Sequence, residues 1–311
     1  MIAVLRGGAS LAGSLAASWL VLVALAFVAV RALPGDPVAS LLAATNVAPT
    51  PDAVAALRAS FGIDRPLWQA FGEWLVGFVA LDWGVSPVTG RPIVTEIAAR
   101  APVSAAIGAG GLGLALLVGF HLGFRAAARP GRLADGASRA LAVAGQALPA
   151  FAVGLLMLWL FAVEWRLVRP LTGGTMERLV LPIALVALFS IGSVARLARA
   201  AFSDAAAAPY MTTARMKGLS PDAALWRHGR RHAALVVLAA ATPEAAWIVG
   251  GTAVAEIVFA TPGLSERVVA AVSARDYPLL HAYIACVALF LLLVHAASRL
   301  ARRRLDPRSA A

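Results

Sequence analysis

Six long apolar stretches, separated by short polar segments, constrain this chain more than any other feature. They run roughly over residues 9–30, 103–124, 140–163, 179–195, 233–258 and 279–297. A helix needs roughly 20 apolar residues to cross about 30 Å of hydrocarbon, and each run is about that long. Inside lipid a segment must satisfy its own backbone hydrogen bonds, so these runs are expected as helices. The expected fold class is therefore an all-α membrane protein with six transmembrane helices. Composition agrees: 60% of the 311 residues are apolar and only 14% are charged, where a soluble domain carries about a quarter. The lone cysteine, Cys286, lies within the sixth run, which rules out a disulfide framework or a cysteine zinc cluster. Arg6 precedes the first run in the manner of a secretory leader. The run is too long for one, however, and is followed by Leu33-Pro-Gly-Asp rather than a small-residue cleavage site. It is expected to be retained as a signal anchor.

Charge placement sets the expected orientation. One side of the six runs carries seventeen Lys and Arg against four acids (Asp135, Asp204, Asp222, Asp306), while the other carries ten of each sign. By the positive-inside rule the basic side is cytoplasmic, which puts both termini in the cytosol. The net charge of +11 is then a topological signature, and a nucleic-acid partner is not needed to explain it. Membrane lipid is the expected surroundings. The predicted organisation is a first span at 1–33, an extracytoplasmic segment at 34–101, a five-helix core at 102–298 containing a cytosolic loop at 209–232, and a cytosolic tail at 299–311.

Within the outer segment, Pro34-Gly-Asp-Pro37 reads as a turn. Thr50 is placed to cap a helix that opens at Pro51 with Asp52 in its first turn. Residues 66–81, rich in Trp and Phe, read as an amphipathic helix at the outer interface. The second run carries Gly108, Gly110, Gly111, Gly113, Gly119 and Gly123, a pattern that reads either as close helix packing or as a pore-facing, hinged helix. Pro149 should kink the third run.

The most distinctive polar segment is 210–228, YMTTARMKGLSPDAALWRH. Pro209 stops the preceding helix, residues 212–217 can form about two helical turns, and Gly218 breaks them. Ser220-Pro-Asp222 then starts a second short helix carrying Trp226, Arg227 and His228. Ala214 and Gly218 are small enough for close docking, and Arg215 and Lys217 offer charge to an acidic surface. The segment reads equally as an ordinary basic loop. No G-x-x-x-x-G-K-[ST] phosphate loop occurs in the chain, so any work driven by ATP would have to draw on another polypeptide. Intramembrane catalysis finds no footing either: Ser190-Ile-Gly-Ser193 is not a serine-nucleophile motif and H-E-x-x-H is absent.

Two carboxylates, Glu244 and Glu256, fall in the fifth run. They are twelve residues apart and so about 120° apart around a helix. Intramembrane acids face a cavity or a partner. Glu256, beside Phe259 and Pro262, is expected to pair with Arg267 or Arg275, and Glu244 to line a path, touch a cationic substrate or snorkel. Trp247, Gly250 and Gly251 lie between them. His121, His281 and His295 lack metal-ligand spacing, so no metal site and no catalytic residue is expected.

Ala214-Arg-Met-Lys-Gly-Leu-Ser220 resembles the EAA-type coupling loop of binding-protein-dependent ABC importer permeases of the peptide/nickel branch. The resemblance extends through Pro34-Gly-Asp-Pro37, Phe61-Gly-Ile-Asp-Arg-Pro-Leu67, Leu81-Asp-Trp-Gly-Val-Ser86, Pro149-Ala-Phe151, Leu181-Pro182 and Gly250-Gly251. It continues with Glu256-Ile-Val-Phe259, Pro262-Gly263, Arg275-Asp-Tyr-Pro278 and Leu305-Asp-Pro-Arg308. It implies a type I importer permease fold and an inner-membrane transport subunit that is not itself an enzyme. The implied partners are a second homologous permease, two ATPase subunits that bind ATP and Mg, and a periplasmic or lipoprotein substrate-binding protein. The coupling residues it implies are Tyr210, Ala214, Arg215, Lys217, Gly218, Arg227 and His228; the path candidates are Glu244, Trp247, Gly250, Gly251 and Glu256. Val236, His232 and Gly229-Arg230 stand where such permeases usually have Pro, Asn and Ala-Leu, so the fifth span is expected to start straighter. Residues 46–86 and the short loop 164–178 resemble nickel-type permeases, which favours nickel or a metal chelate over di- or oligopeptides.

Overall fold

The structure, a computed structural model, describes residues 2–32, 38–39, 42, 50–61, 65–169 and 174–305. The Pro34-Gly-Asp-Pro37 turn, the Gly62-Ile-Asp64 part of its motif and everything after Leu305 lie outside these residues. Among the described residues the regular structure is helical throughout, apart from one isolated bridge between Val85 and Pro92. The helices are α1 (Ile2–Arg31), α2 (Pro51–Phe61), α3 (Leu67–Val79), α4 (Ile93–Ala128), α5 (Leu133–Ala147), α6 (Ala150–Leu158), α7 (Thr175–Ala207), α8 (Pro209–Met216), α9 (Pro221–Ala224), α10 (Arg230–Val258), α11 (Leu264–Ala274) and α12 (Tyr277–Leu305). Wide π turns extend α6 over Trp159–Glu164 and join α9 to α10 over Leu225–Gly229.

Five helical stretches are long and apolar enough to cross a membrane, and the bent pair α5–α6 makes a sixth if counted as one span. All six apolar runs are therefore helical, but the helices overrun them. The run at 103–124 becomes the 36-residue α4, and that at 179–195 the 33-residue α7. Hydropathy marks only the lipid-facing stretch, whereas a helix continues as far as its backbone ladder does. The third run departs further from expectation. Pro149 does not merely kink it: α5 and α6 meet at 109°. Leu148 is extended, with ψ 135°, because proline drives the residue before it out of the α region.

The chain forms two compact units, 1–102 with 266–292, and 103–265 with 293–311. In the first unit, α3 does not leave its aromatic side bare. Phe71, Trp74 and Phe78 pack with Trp19 around Val23, Ala285 and Ala288. Phe27 stacks on His281 with centroids 4.3 Å apart, and the Trp19 indole N–H donates to the Ala285 carbonyl at 3.0 Å. The Val54 N–H bonds the Thr50 carbonyl, so α2 begins where the sequence places it.

That unit also buries an ionic network. Arg267 donates to Glu96 at 2.5 Å and to Asp276 at 3.2 Å; Asp276 also takes the Ser86 hydroxyl at 2.5 Å. All four residues are buried. Burial holds the Asp276 carboxyl above the usual carboxylate range, against the opposing pull of Ser86 and Arg267. Arg267, one expected partner of Glu256, is thus committed to other acids.

In the second unit, the glycine stripe of α4 packs along α7. A Cβ on Gly111 would meet Val186 at 2.5 Å, one on Gly119 would meet Val194 at 2.8 Å, and one on Gly123 would meet Ala198 at 2.5 Å. The packing reading of the stripe holds at these positions, where only glycine lets the two backbones approach so closely. α7 makes a second such approach to α5, with Gly192 against the backbone of Leu141 and Ala142.

Candidate functional site

Segment 209–232 is a knob fused to the second unit. Ala208 is extended (ψ 143°) and Pro209 opens α8 from its first turn, where a missing N–H costs nothing. Gly218 ends α8 at φ +86°, a conformation that L side chains rarely adopt. The Ser220 hydroxyl then accepts the Ala223 N–H at 3.3 Å and Pro221 opens α9. The start and stop signals read from the sequence are all used.

One expectation is corrected. The second helix of the knob is not separate: from Pro221 it runs through the π turn into α10 and on to Val258. Gly229, the only breaker there, is buried with Ala205, Leu225 and Phe202 within 3.3 Å of a Cβ position, so packing holds it helical. The knob and the fifth span form one continuous rod.

The knob has two faces. Met211, Ala214, Ala224 and Leu225 are buried with Phe202 and Ala205 of α7. Trp226 packs among Phe120, Phe124 and Phe202, with centroids as close as 4.8 Å. Asp222 takes a salt bridge from Arg129 at 3.0 Å. Ala214, expected as a docking residue, is 6% exposed and serves this chain's own interior. Tyr210, Arg215, Met216, Lys217, Gly218, Arg227 and His228 are all exposed, and Met216 is 77% so. A basic rim around an exposed methionine therefore has no cover within the described residues of this unit.

The path candidates part company. Glu244, half-buried, takes the Ser193 hydroxyl at 2.5 Å across α7 and α10. Trp247 is 46% exposed and stacks on Phe189, and Gly250 is open, with nothing near a Cβ position. Gly251 is half-buried, its nearest neighbour the Trp247 ring one turn back. Glu256 is fully buried and accepts the Ser104 hydroxyl at 2.6 Å; that hydroxyl in turn accepts the Leu264 N–H at 2.7 Å. Gly263 lies so close that any Cβ would overlap the Glu256 carboxyl. Pro262-Gly263 is thus matched to Glu256, which braces the end of α10 from within the interior and does not line an open path.

Sequence reading also missed the acid that organises the α5–α7 junction. Asp135, fully buried, receives Arg139 at 2.6 Å, Arg199 at 2.7 Å and the Gly131 N–H at 2.9 Å. The available signal was a single acid among many bases at the head of α5, which hydropathy does not weigh. Among the described residues no group of three His, Cys, Asp or Glu is placed to hold a metal ion.

Residues 119–310 match the family described as binding-protein-dependent transport system inner membrane component. The glutathione transport system permease protein GsiC of Escherichia coli (strain K12) is 33% identical over 273 residues, 87% of this chain and 88% of that protein. The chain belongs to this permease family. The GsiC of Salmonella choleraesuis (strain SC-B67) is 32% identical over 278 residues, covering 89% of each chain. The permease is a multi-pass membrane protein of the peptide/nickel type and a transport subunit. Its family works with two general kinds of partner, an ATPase and a substrate-binding protein. The family match over residues 119–310 spans the knob, the α5–α7 junction, Glu256 and Gly263.

Proposed function

We propose that this permease forms half of an alternating-access path through the bacterial inner membrane, levered by an ATPase that grips the exposed face of segment 210–228. The observation that carries this reading is the continuous rod from Pro221 to Val258. A push on the knob reaches the fifth span without crossing a flexible joint. Tyr210, Arg215, Lys217, Arg227 and His228 form the contact face, and Gly218 sets its shape. The buried side of the knob, with Ala214 and Trp226, ties it to α4 and α7. Both termini and the knob lie in the cytosol. The working assembly contains a second homologous permease, two ATPase subunits that bind ATP and Mg, and a periplasmic or lipoprotein binding protein. Trp247 and Gly250, with Gly251 and Glu244 beside them, face the path; their exposure supports this assignment.

The substrate proposed is a small peptide, because the relatives above are named for transport of glutathione, itself a tripeptide. The second reading is nickel or a metal chelate, favoured by the resemblance of residues 46–86 to nickel-type permeases. Uptake in a strain lacking its own peptide and nickel importers, complemented with the whole transporter, separates the two. Labelled dipeptide or glutathione should accumulate, and excess unlabelled peptide should abolish that accumulation. Nickel accumulation untouched by excess peptide would overturn the peptide reading and leave the permease assignment standing.

A further inference from the structure

At the polar ends of α10 and α12 a groove of about 660 Å³ is lined by His232, His295, Arg299, Arg302 and Arg303. No acidic side chain is among its lining residues within the described part of the chain. Three arginines elsewhere in this unit are matched: Asp135 holds Arg139 and Arg199, and Asp222 holds Arg129. Here three guanidiniums share one concavity with no carboxylate among them in the described residues. Arg299 and Arg302 are half-buried, and the Arg302 Nε–H is buried without a hydrogen-bond partner among the described residues. Like charges gathered in a partly desolvated groove repel one another unless an anion sits between them. On the α10 side, Leu235, Val236 and Ala239 add apolar lining beside His232. Arg231 donates to the Leu305 carbonyl and ties the two helix ends together, so the groove has a fixed base.

We infer that this groove binds the phosphate headgroup of an anionic phospholipid. The guanidinium forks suit phosphate oxygens, and the imidazoles supply further N–H donors. Leu235 and Val236 offer the acyl chain an apolar wall where the two spans meet the headgroup layer, the arrangement in which basic pockets between spans hold lipid headgroups. A soluble phosphate would make no use of that wall.

The test is native mass spectrometry of the full-length permease, delipidated in detergent and titrated with phosphatidylglycerol. One lipid should bind tightly, and phosphatidylcholine should bind more weakly. Replacing Arg299, Arg302 and Arg303 together with glutamine should weaken phosphatidylglycerol binding by on the order of a hundredfold, from about fivefold per basic residue. Lysine at the same three positions, keeping the charge, should retain most of it. The matched triple Arg125→Gln/Arg132→Gln/Arg196→Gln should leave binding unchanged. Equal loss in both glutamine triples, no retained lipid, or displacement by inorganic phosphate would each overturn the assignment.

Discussion

Replacing Arg267 with alanine should prevent the first unit from folding stably, with the protein lost from the membrane fraction or its melting transition in detergent lowered sharply. Arg267 is the one guanidinium shared by Glu96 and Asp276, which are 8% and 0% exposed. Without it two carboxylates remain buried side by side, and breaking a buried ionic cluster by removing one partner costs about 3–5 kcal/mol. A domain is stable by only about 5–15 kcal/mol in total, so this is a large part of the margin. Lysine at the same position should recover part of the loss, since it restores charge but not the fork that reaches both acids. Asp276→Asn should be milder: the single amide oxygen can still accept the Leu279 N–H, and the amide NH2 can donate to the Ser86 hydroxyl oxygen, with only the contact to Arg267 lost. Equal stability of wild type and Arg267→Ala would mean that these contacts do not hold the unit together.

Gly218→Val should separate ATP hydrolysis from uptake while leaving the protein folded. At φ +86° a β-branched residue is strained, by about 1–2 kcal/mol or more, although a Cβ itself would meet nothing within 4 Å. The strain must be relieved by moving the turn between α8 and α9, which carries the exposed basic rim. Uptake should fall at least tenfold, with membrane abundance near normal and substrate-stimulated hydrolysis no longer matched to transport. Gly218→Asn should be gentler, because asparagine tolerates left-handed backbone. Arg215→Glu should give the same uncoupling through charge reversal on the exposed rim, with no backbone change. Normal uptake in both Gly218→Val and Arg215→Glu would refute the lever.

Much of this architecture could be read from residue order alone. The six apolar runs are all helical because lipid leaves the backbone no other partner, and the turn signals at Pro209, Gly218 and Ser220 act locally, through their own dihedrals and caps. What escaped was of two kinds. Helix extent escaped because hydropathy fades before the backbone ladder ends, as at α4 and α7. The reversal at Leu148 escaped because proline can bend or break a helix, and neighbouring packing decides which. The buried networks escaped for a different reason. Arg267 meets Glu96 across 171 residues and Ser86 meets Asp276 across 190. Nothing local in Ser86 or Asp276 names the other. Glu256 was recognised as a special carboxylate, but its partners, Ser104 and the space left by Gly263, are small residues that leave no charge pattern to read.

The lone cysteine makes a direct test of the central claim possible. In a Cys286→Ala background, a single cysteine placed at Arg227 would report which side of the membrane the knob occupies and what covers it. A membrane-impermeant maleimide should fail to label it in intact cells and should label it in inverted membrane vesicles stripped of peripheral protein. Adding back the partner ATPase should then protect it. Labelling in intact cells, or labelling in stripped vesicles that the ATPase leaves unchanged, would contradict a permease driven from the cytosol through this segment.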